Sequence, residues 1–134
     1  MIILDTSFLV SYKIENDENH EKAAKIKGDI VDGKYGNPVI SDYIFDETLT
    51  VVFVRSKNLS VAVEMGDELR NFVKIIKIGD DVLEGSWDLF KNQKDTTFSF
   101  TDCTSVALMK NENIINIATF DGDFKKIKEI SVVS

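Results

Sequence analysis

Ile2-Ile3-Leu4-Asp5-Thr6-Ser7 decides how the rest of this chain is read: three apolar residues run directly into an acid and two hydroxyls. A run so short and so continuously apolar predicts a strand buried on both faces, the pattern of a parallel sheet, rather than the alternation of a half-exposed strand. No basic segment precedes it, so it reads as a strand and not as a signal peptide. Similar runs recur along the chain. Pro38–Ser41 is one, with proline at the first position, where its missing N–H is tolerated. Val73–Ile78, which alternates apolar residues with Lys74 and Lys77, Ile114–Phe120 and Ile130–Val133 also read as strands, the last as an edge strand.

Helical patterns fill the intervals. Asp17–Val31 carries a stripe of Ala23, Ala24, Ile26 and Ile30, and Gly33 and Gly36 mark its end. Ser41 or Asp42 caps a helix running to about Ser56, followed by Ser60–Phe72 and Asp80–Lys91. Asn92–Thr97 is a polar loop. Ser99 opens a further helix, with Asp102 three residues on in a capping-box arrangement. Asp121-Gly122-Asp123 is a turn and Phe124–Lys128 a single helical turn. Strands alternating with helices predict a three-layer α/β/α sandwich with a mostly parallel sheet, organised as one domain over residues 1–134. Trp87 and the nine phenylalanines are expected in the core.

Composition narrows the function. The chain has 134 residues with 16 basic and 23 acidic side chains, a net charge of −7, and 43% hydrophobic residues, enough for a folded core. The single cysteine, Cys103, excludes an internal disulfide, and no apolar run nears the roughly 18 residues of a membrane span. A cytoplasmic protein is expected. His20 is the one histidine, so a zinc site of His and Cys ligands has no residues to build it. Cys103 reads as a packing residue and His20 as a surface or cap residue.

In open parallel sheets, ligands bind beyond the carboxyl ends of the strands. Asp5 ends the first strand, Asp121 ends the Ile114–Phe120 strand, and Asp102 and Glu47 lie near the starts of helices on that same side. Each alone has a bland reading: Asp5 as a helix cap, Glu47 as a solvated helix acid, Asp102 as a capping-box acid, Asp121 and Asp123 as turn formers. Together, four acids from distant segments converge at one sheet edge. Such carboxylates repel unless a cation sits among them, and oxygen ligands suit Mg²⁺ or Mn²⁺, which polarise a phosphoryl oxygen and activate water.

The same residues carry a family resemblance. Ile3-Leu4-Asp5-Thr6-Ser7, the helix Asp42–Thr50 around Glu47, the Ser99–Ala107 segment around Asp102 and the strand and turn Ile117–Phe124 resemble, in order and spacing, the landmarks of PIN domains, the nuclease family that includes VapC-type toxins. Asn19–Ala23 fits the start of that family's second helix. The resemblance covers essentially the whole chain. It implies sheet order 3-2-1-4-5, and an acidic site of Asp5, Glu47, Asp102 and Asp121 with Asp5 and Asp102 as the main metal ligands. Asp121 is favoured over Asp123 because Thr119 and Phe124 frame it. Thr6 or Thr119 is placed to hydrogen-bond ligand, water or phosphate. The implied activity is metal-dependent hydrolysis of RNA phosphodiesters.

On this reading the protein is an endoribonuclease, the toxin of a toxin–antitoxin pair, held by an antitoxin protein and paired as a homodimer through the Asp42–Phe72 helices. An RNA-processing nuclease outside a toxin system is the nearest alternative. Substrate contacts would fall to Arg55, Lys57, Lys91, Lys94, Lys125 or Lys126, and Phe98 and Phe100 are candidates to stack on a base. Two rivals are weaker. A receiver-like phosphoacceptor domain needs an acid pair after the first strand and a lysine after the last, and this chain has neither. A non-catalytic binding module would not need all four acids.

Overall fold

Five short strands form the centre of the protein. The computed structural model describes residues 1–134, with strands β1 (Ile2–Leu4), β2 (Pro38–Ser41), β3 (Lys74–Ile76), β4 (Asn116–Ala118) and β5 (Ser131–Val133). They pair in the order β3-β2-β1-β4-β5, and every pairing is parallel. The α/β sandwich with sheet order 3-2-1-4-5 is therefore as the sequence implied. β1 lies at the middle of the sheet with all three residues buried, which is why its run is apolar without alternation.

Six helices cover the sheet: α1 (Thr6–Lys13), α2 (His20–Val31), α3 (Asp42–Ser56), α4 (Leu59–Phe72), α5 (Asp80–Asn92) and α6 (Phe100–Glu112). The connections from β1 to β2 to β3 run one way across the sheet, and those from β3 to β4 to β5 run the other. With right-handed crossovers the reversal sends α1–α4 to one face and α5–α6 to the other. The packing agrees: α1 packs on α2 and α3, α3 on α4, and α5 on α6.

Ser41 Oγ accepts from Ile44 N at 3.0 Å and caps α3, which leaves Asp42 free to accept from Ile78 N at 2.9 Å and fasten the chain leaving β3. Gly36 adopts φ +79° where the backbone passes Met1; a Cβ there would meet the Met1 nitrogen at 3.0 Å.

Several boundaries differ from those expected. α1 had no counterpart in the sequence reading. Phe8, Leu9 and Val10 are all buried, so the helix lacks the polar stripe that marks an amphipathic one. α2 begins at His20, not Asp17, because the Asp17 carboxylate accepts from Asn19 N at 3.0 Å and holds that segment in a turn. β3 and β4 are three residues each, because their ladders run only as far as their neighbours reach. The aromatic core is smaller than expected. Phe8, Phe98 and Phe124 are buried, whereas Phe53, Phe72, Phe90 and Trp87 are exposed.

Candidate active site

The β1–β4 register places Leu4 beside Ala118, so Asp5 and Thr119 emerge together at the carboxyl end of the two central strands. The Asp5 amide continues the ladder by donating to the Ala118 carbonyl at 3.0 Å. Asp5 occupies the N-cap position of α1, as the bland reading had it, but its carboxylate makes no cap bond. It is 3% exposed, and one oxygen, Oδ2, accepts from Ser7 Oγ at 2.8 Å and from Thr119 Oγ1 at 2.7 Å. Each hydroxyl accepts a backbone proton in turn, Ser7 Oγ from Phe120 N and Thr119 Oγ1 from Asp121 N, both at 3.0 Å. Ser7 and Thr119 therefore brace β1, α1 and the end of β4 against one carboxylate oxygen.

The other oxygen, Oδ1, is buried with no hydrogen-bond partner. A buried polar atom left unpaired costs about 1–3 kcal/mol, more when it is charged, so native structures rarely leave one without a reason. The Thr6 hydroxyl next to it is also buried and unpartnered. Both residues line a polar pocket of about 400 Å³ whose walls include Glu47, Asp102 and Asp121. The four acids named from the sequence thus share one pocket, delivered by the end of β1, the second turn of α3, the first turn of α6 and the end of β4.

Their electrostatics follow from that crowding. Burial pushes the Asp5 carboxyl above its ordinary range, the Thr119 and Ser7 hydroxyls pull it back, and the Glu47 charge raises it again. Asp102 is pushed up to about 7, by burial first and then by the charge of Asp5, with Asp121 adding to it. Asp102 serves two structures at once. Its Oδ2 accepts from Ser99 N at 2.9 Å while Ser99 Oγ accepts from Asp102 N at 3.1 Å, a complete capping box that fixes the start of α6. Glu47 is half-buried and enters no ion pair.

Asp121 and Asp123 are separated by the structure. Asp121 lines the pocket and caps the short 3-10 turn Gly122–Lys126 through Asp123 N, at 3.0 Å. Asp123 lies outside the pocket wall. Its Oδ2 accepts from Thr97 N at 2.9 Å, and Lys126 pairs with it at 2.9 Å. The Thr97 amide and then Lys126 hold its carboxyl below the usual range.

Among the basic candidates, Arg55 lies on the pocket wall, where Asp17 engages it at 2.9 Å. Lys91 pairs with Asp88, and Lys57 closes α3 in a left-handed conformation, so neither faces the pocket. Phe98 is not available for stacking: it is buried, its ring 4.8 Å from that of Phe124. Phe100 packs between Tyr43 and Phe90. Cys103 is buried, and burial pushes its thiol up to about 11, which suits a packing role. His20 Nδ1 meets the Ser11 carbonyl at 2.9 Å, tying α2 to α1. Residues missed in the sequence are Ser7, one of the two braces of Asp5, and Asn19, Ser11 and Asp17 on the pocket wall. Ser7 had a signal in the Asp5-Thr6-Ser7 run; Ser11 lies on α1, and Asp17 and Asn19 on the turn before α2, whose course the sequence did not show.

No three of these side chains form a ready-made ligand set for a metal ion. The donor chemistry nevertheless suits a hard divalent cation: all-oxygen donors, an unpartnered buried Asp5 oxygen, and an Asp102 whose ionisation is opposed by its neighbours.

Comparison with known proteins agrees with this geometry. The family model of the PIN domain matches residues 2–130. A 23S rRNA-specific endonuclease, VapC20, from Mycobacterium tuberculosis is 28% identical over 124 residues, covering 92% of each chain. A VapC ribonuclease from Archaeoglobus fulgidus is 27% identical over 127 residues, 91% of this chain and 78% of that one. The crystal structure of M. tuberculosis VapC20, described as a sarcin–ricin-loop-cleaving toxin, superposes with a TM-score of 0.84 at 26% identity over 94% of both chains. VapBC2 from Rickettsia felis, solved bound to a promoter DNA fragment, shares the fold at 18% identity with a TM-score of 0.71, over 99% of this chain and 98% of that one.

Proposed function

The chain belongs to the PIN-domain family, and from that premise we propose that it is a divalent-metal-dependent endoribonuclease, the toxin of a toxin–antitoxin pair, with Asp5, Glu47, Asp102 and Asp121 as its acidic centre. One observation carries the reading: Asp5, whose Oδ1 is buried and unpartnered, stands on the wall of a pocket that gathers three further acids from distant segments. Mg²⁺ or Mn²⁺ held by Asp5 and Asp102 would neutralise the developing charge on a phosphodiester and lower the pKa of attacking water. Glu47 and Asp121 would complete the set of residues that holds the ion, directly or through water.

The chain's own residues set the geometry. Ser7 and Thr119 occupy Oδ2 of the Asp5 carboxylate, which leaves Oδ1 as the oxygen without a partner in the chain. The capping box holds Asp102 at the start of α6 with one oxygen left over. Thr6 offers a hydroxyl with no other partner. Asp123 fastens the loop before α6, which supports Asp121 as the fourth acid. The products of the hydrolysis are one strand ending in a phosphate and one in a hydroxyl, after water attacks phosphorus and the bond to the leaving ribose oxygen breaks.

RNA is the substrate class, from the relatives and from the acid pocket together. A single-domain toxin in the cytoplasm would be held by an antitoxin segment crossing the acidic pocket, with a basic side chain reaching the carboxylates. A homodimer is supported by exposed Phe53, Val54, Leu59, Val63 and Phe72 on α3 and α4. Sedimentation showing only monomer at working concentration removes the dimer alone. The central test is cleavage of a sarcin–ricin-loop hairpin and of unstructured RNA, with Mn²⁺ or Mg²⁺ or with chelator. Metal-dependent cutting lost in Asp5→Asn is the expected result. Cutting that survives either the chelator or the substitution overturns the proposal. Growth arrest on expression, relieved by the product of the adjoining gene, tests the toxin assignment separately.

A further inference from the structure

A −7 protein with an acidic centre must still attract a polyanion, which requires cations that no carboxylate of the chain has already claimed. Arg55, the cation on the wall of the acid pocket, is engaged by Asp17. Lys13, Lys34, Lys91 and Lys126 are likewise paired with acids. A second polar cavity, about 260 Å³, adjoins the acid pocket and shares Asn19, Phe120 and Asp121 with it. On its wall stand Lys22, from the first turn of α2, and Lys125, from the 3-10 turn after Asp121. Both are exposed and neither enters an ion pair.

The position of Lys22 is not explained by helix stability. A cation in the first turn works against the helix dipole, and Glu21 is the residue that suits that end. Lys125 sits one residue past buried Phe124, which anchors its backbone in the core.

We propose that Lys22 and Lys125 are the phosphate-binding arm of the site, seating the RNA backbone that adjoins the cleaved bond on its Asp121 side. This rests on the endoribonuclease reading and adds to it the path by which substrate leaves the acidic centre. The shared wall of Asn19, Phe120 and Asp121 sets the two cavities side by side. A phosphate among the carboxylates therefore has its neighbour beside two unclaimed ammonium groups. The arm binds backbone and reads no base, so it supplies affinity and register without sequence preference.

The experiment measures binding of a short single-stranded RNA by fluorescence anisotropy across a salt series, with Mg²⁺ present, in an Asp5→Asn background that does not turn over. Lys22→Gln/Lys125→Gln is expected to weaken binding about tenfold or more at low salt. It should also flatten the dependence of log affinity on log salt by about 1.4, at about 0.7 per phosphate contact on a single strand. Lys74→Gln/Lys110→Gln, on the far edge strand and at the far end of α6, removes the same charge elsewhere and should leave the slope unchanged. In the active protein, the Lys22/Lys125 pair should raise KM with kcat changed less than threefold. An unchanged slope, or an equal loss in the control pair, overturns the arm while RNA cutting by the unsubstituted protein leaves the nuclease reading standing. If the unsubstituted protein neither cuts nor binds RNA, that reading fails and the arm with it.

Discussion

The floor of the acid pocket and its rim use the same residue type in opposite ways. On the floor, Asp5 is crowded by burial and by Glu47, Asp102 by burial and by Asp5, and their carboxyls are pushed upward. On the rim Asp17, and outside the pocket wall Asp123, are pulled downward. For Asp17 burial works the other way, but the Asn19 amide, with the Ser11 hydroxyl and Arg55, outweighs it. For Asp123 the Thr97 amide leads, followed by Lys126. Rim acids are satisfied by the chain and hold the loops before α2 and α6 in place. Floor acids are left with an oxygen to spare. A carboxylate satisfied within the fold fastens it, and one strained within the fold awaits something outside the chain.

Substitution of Asp5 separates floor from rim most clearly. Asp5→Asn should lower RNA cleavage by at least about 10²–10³-fold, the scale seen when one preorganised electrostatic group is removed. The fold should persist, and the metal-free protein should melt no lower than the parent, because a strained charge has gone. Unfolding of the variant would place Asp5 with the fasteners. Thr119→Val comes next. It removes a donor to Asp5 Oδ2 and the acceptor of Asp121 N, and should cost about 10–100-fold in metal affinity or rate, as loss of a partner orienting a metal ligand does. Mn²⁺ titration by calorimetry reads the affinity directly, and an unchanged affinity would remove Thr119 from its bracing role. Ser99→Ala tests the residue where both uses meet, since the cap that holds α6 also holds Asp102. Losing an N-cap hydroxyl costs about 1 kcal/mol, or about 3–5 °C in a domain of this size, and activity should fall several-fold with it.

Much of the fold was legible in the sequence because parallel strands buried on both faces leave unbroken apolar runs such as Ile2–Leu4 and Val39–Ile40. Helix α1 was not, for the same reason in reverse: Phe8, Leu9 and Val10 are buried among other elements, and a helix without a polar face has no periodicity to show. The four acids were legible as a set because each follows a strand or starts a helix on the carboxyl side of the sheet. Their individual states were not. Whether Asp102 caps a helix or faces a pocket depends on which oxygen is counted, and it does both. The separation of Asp121 from Asp123 needed the Thr97 amide, 26 residues away in the chain. Lys22 was invisible as a substrate contact because only the fold carries the start of α2 to Asp121.

The comparison also predicts opposite dependences on pH. A raised carboxyl stabilises the fold fully below its unfolded value, near 4, and that contribution fades as pH rises through the folded value, about 7 for Asp102. A lowered carboxyl does the reverse, so the contributions of Asp17 and Asp123 are present above about 4 and fade as pH falls below it. Thermal melts of chelator-treated protein should therefore peak near pH 4–5 and fall by a few degrees toward pH 7.5, the smallest of these effects because Asp102 is only partly buried. Asp102→Asn should flatten the fall between pH 5 and 7.5 and leave the acid limb intact. Asp123→Asn should soften the acid limb and leave the fall. Mn²⁺ at pH 7.5 should restore the lost degrees in the parent and not in Asp102→Asn, since a cation among the carboxylates replaces the proton that rising pH removes. A melt that rises steadily from pH 5 to 7.5 without metal would show that the floor acids are as well satisfied as the rim, and the distinction between them would be gone.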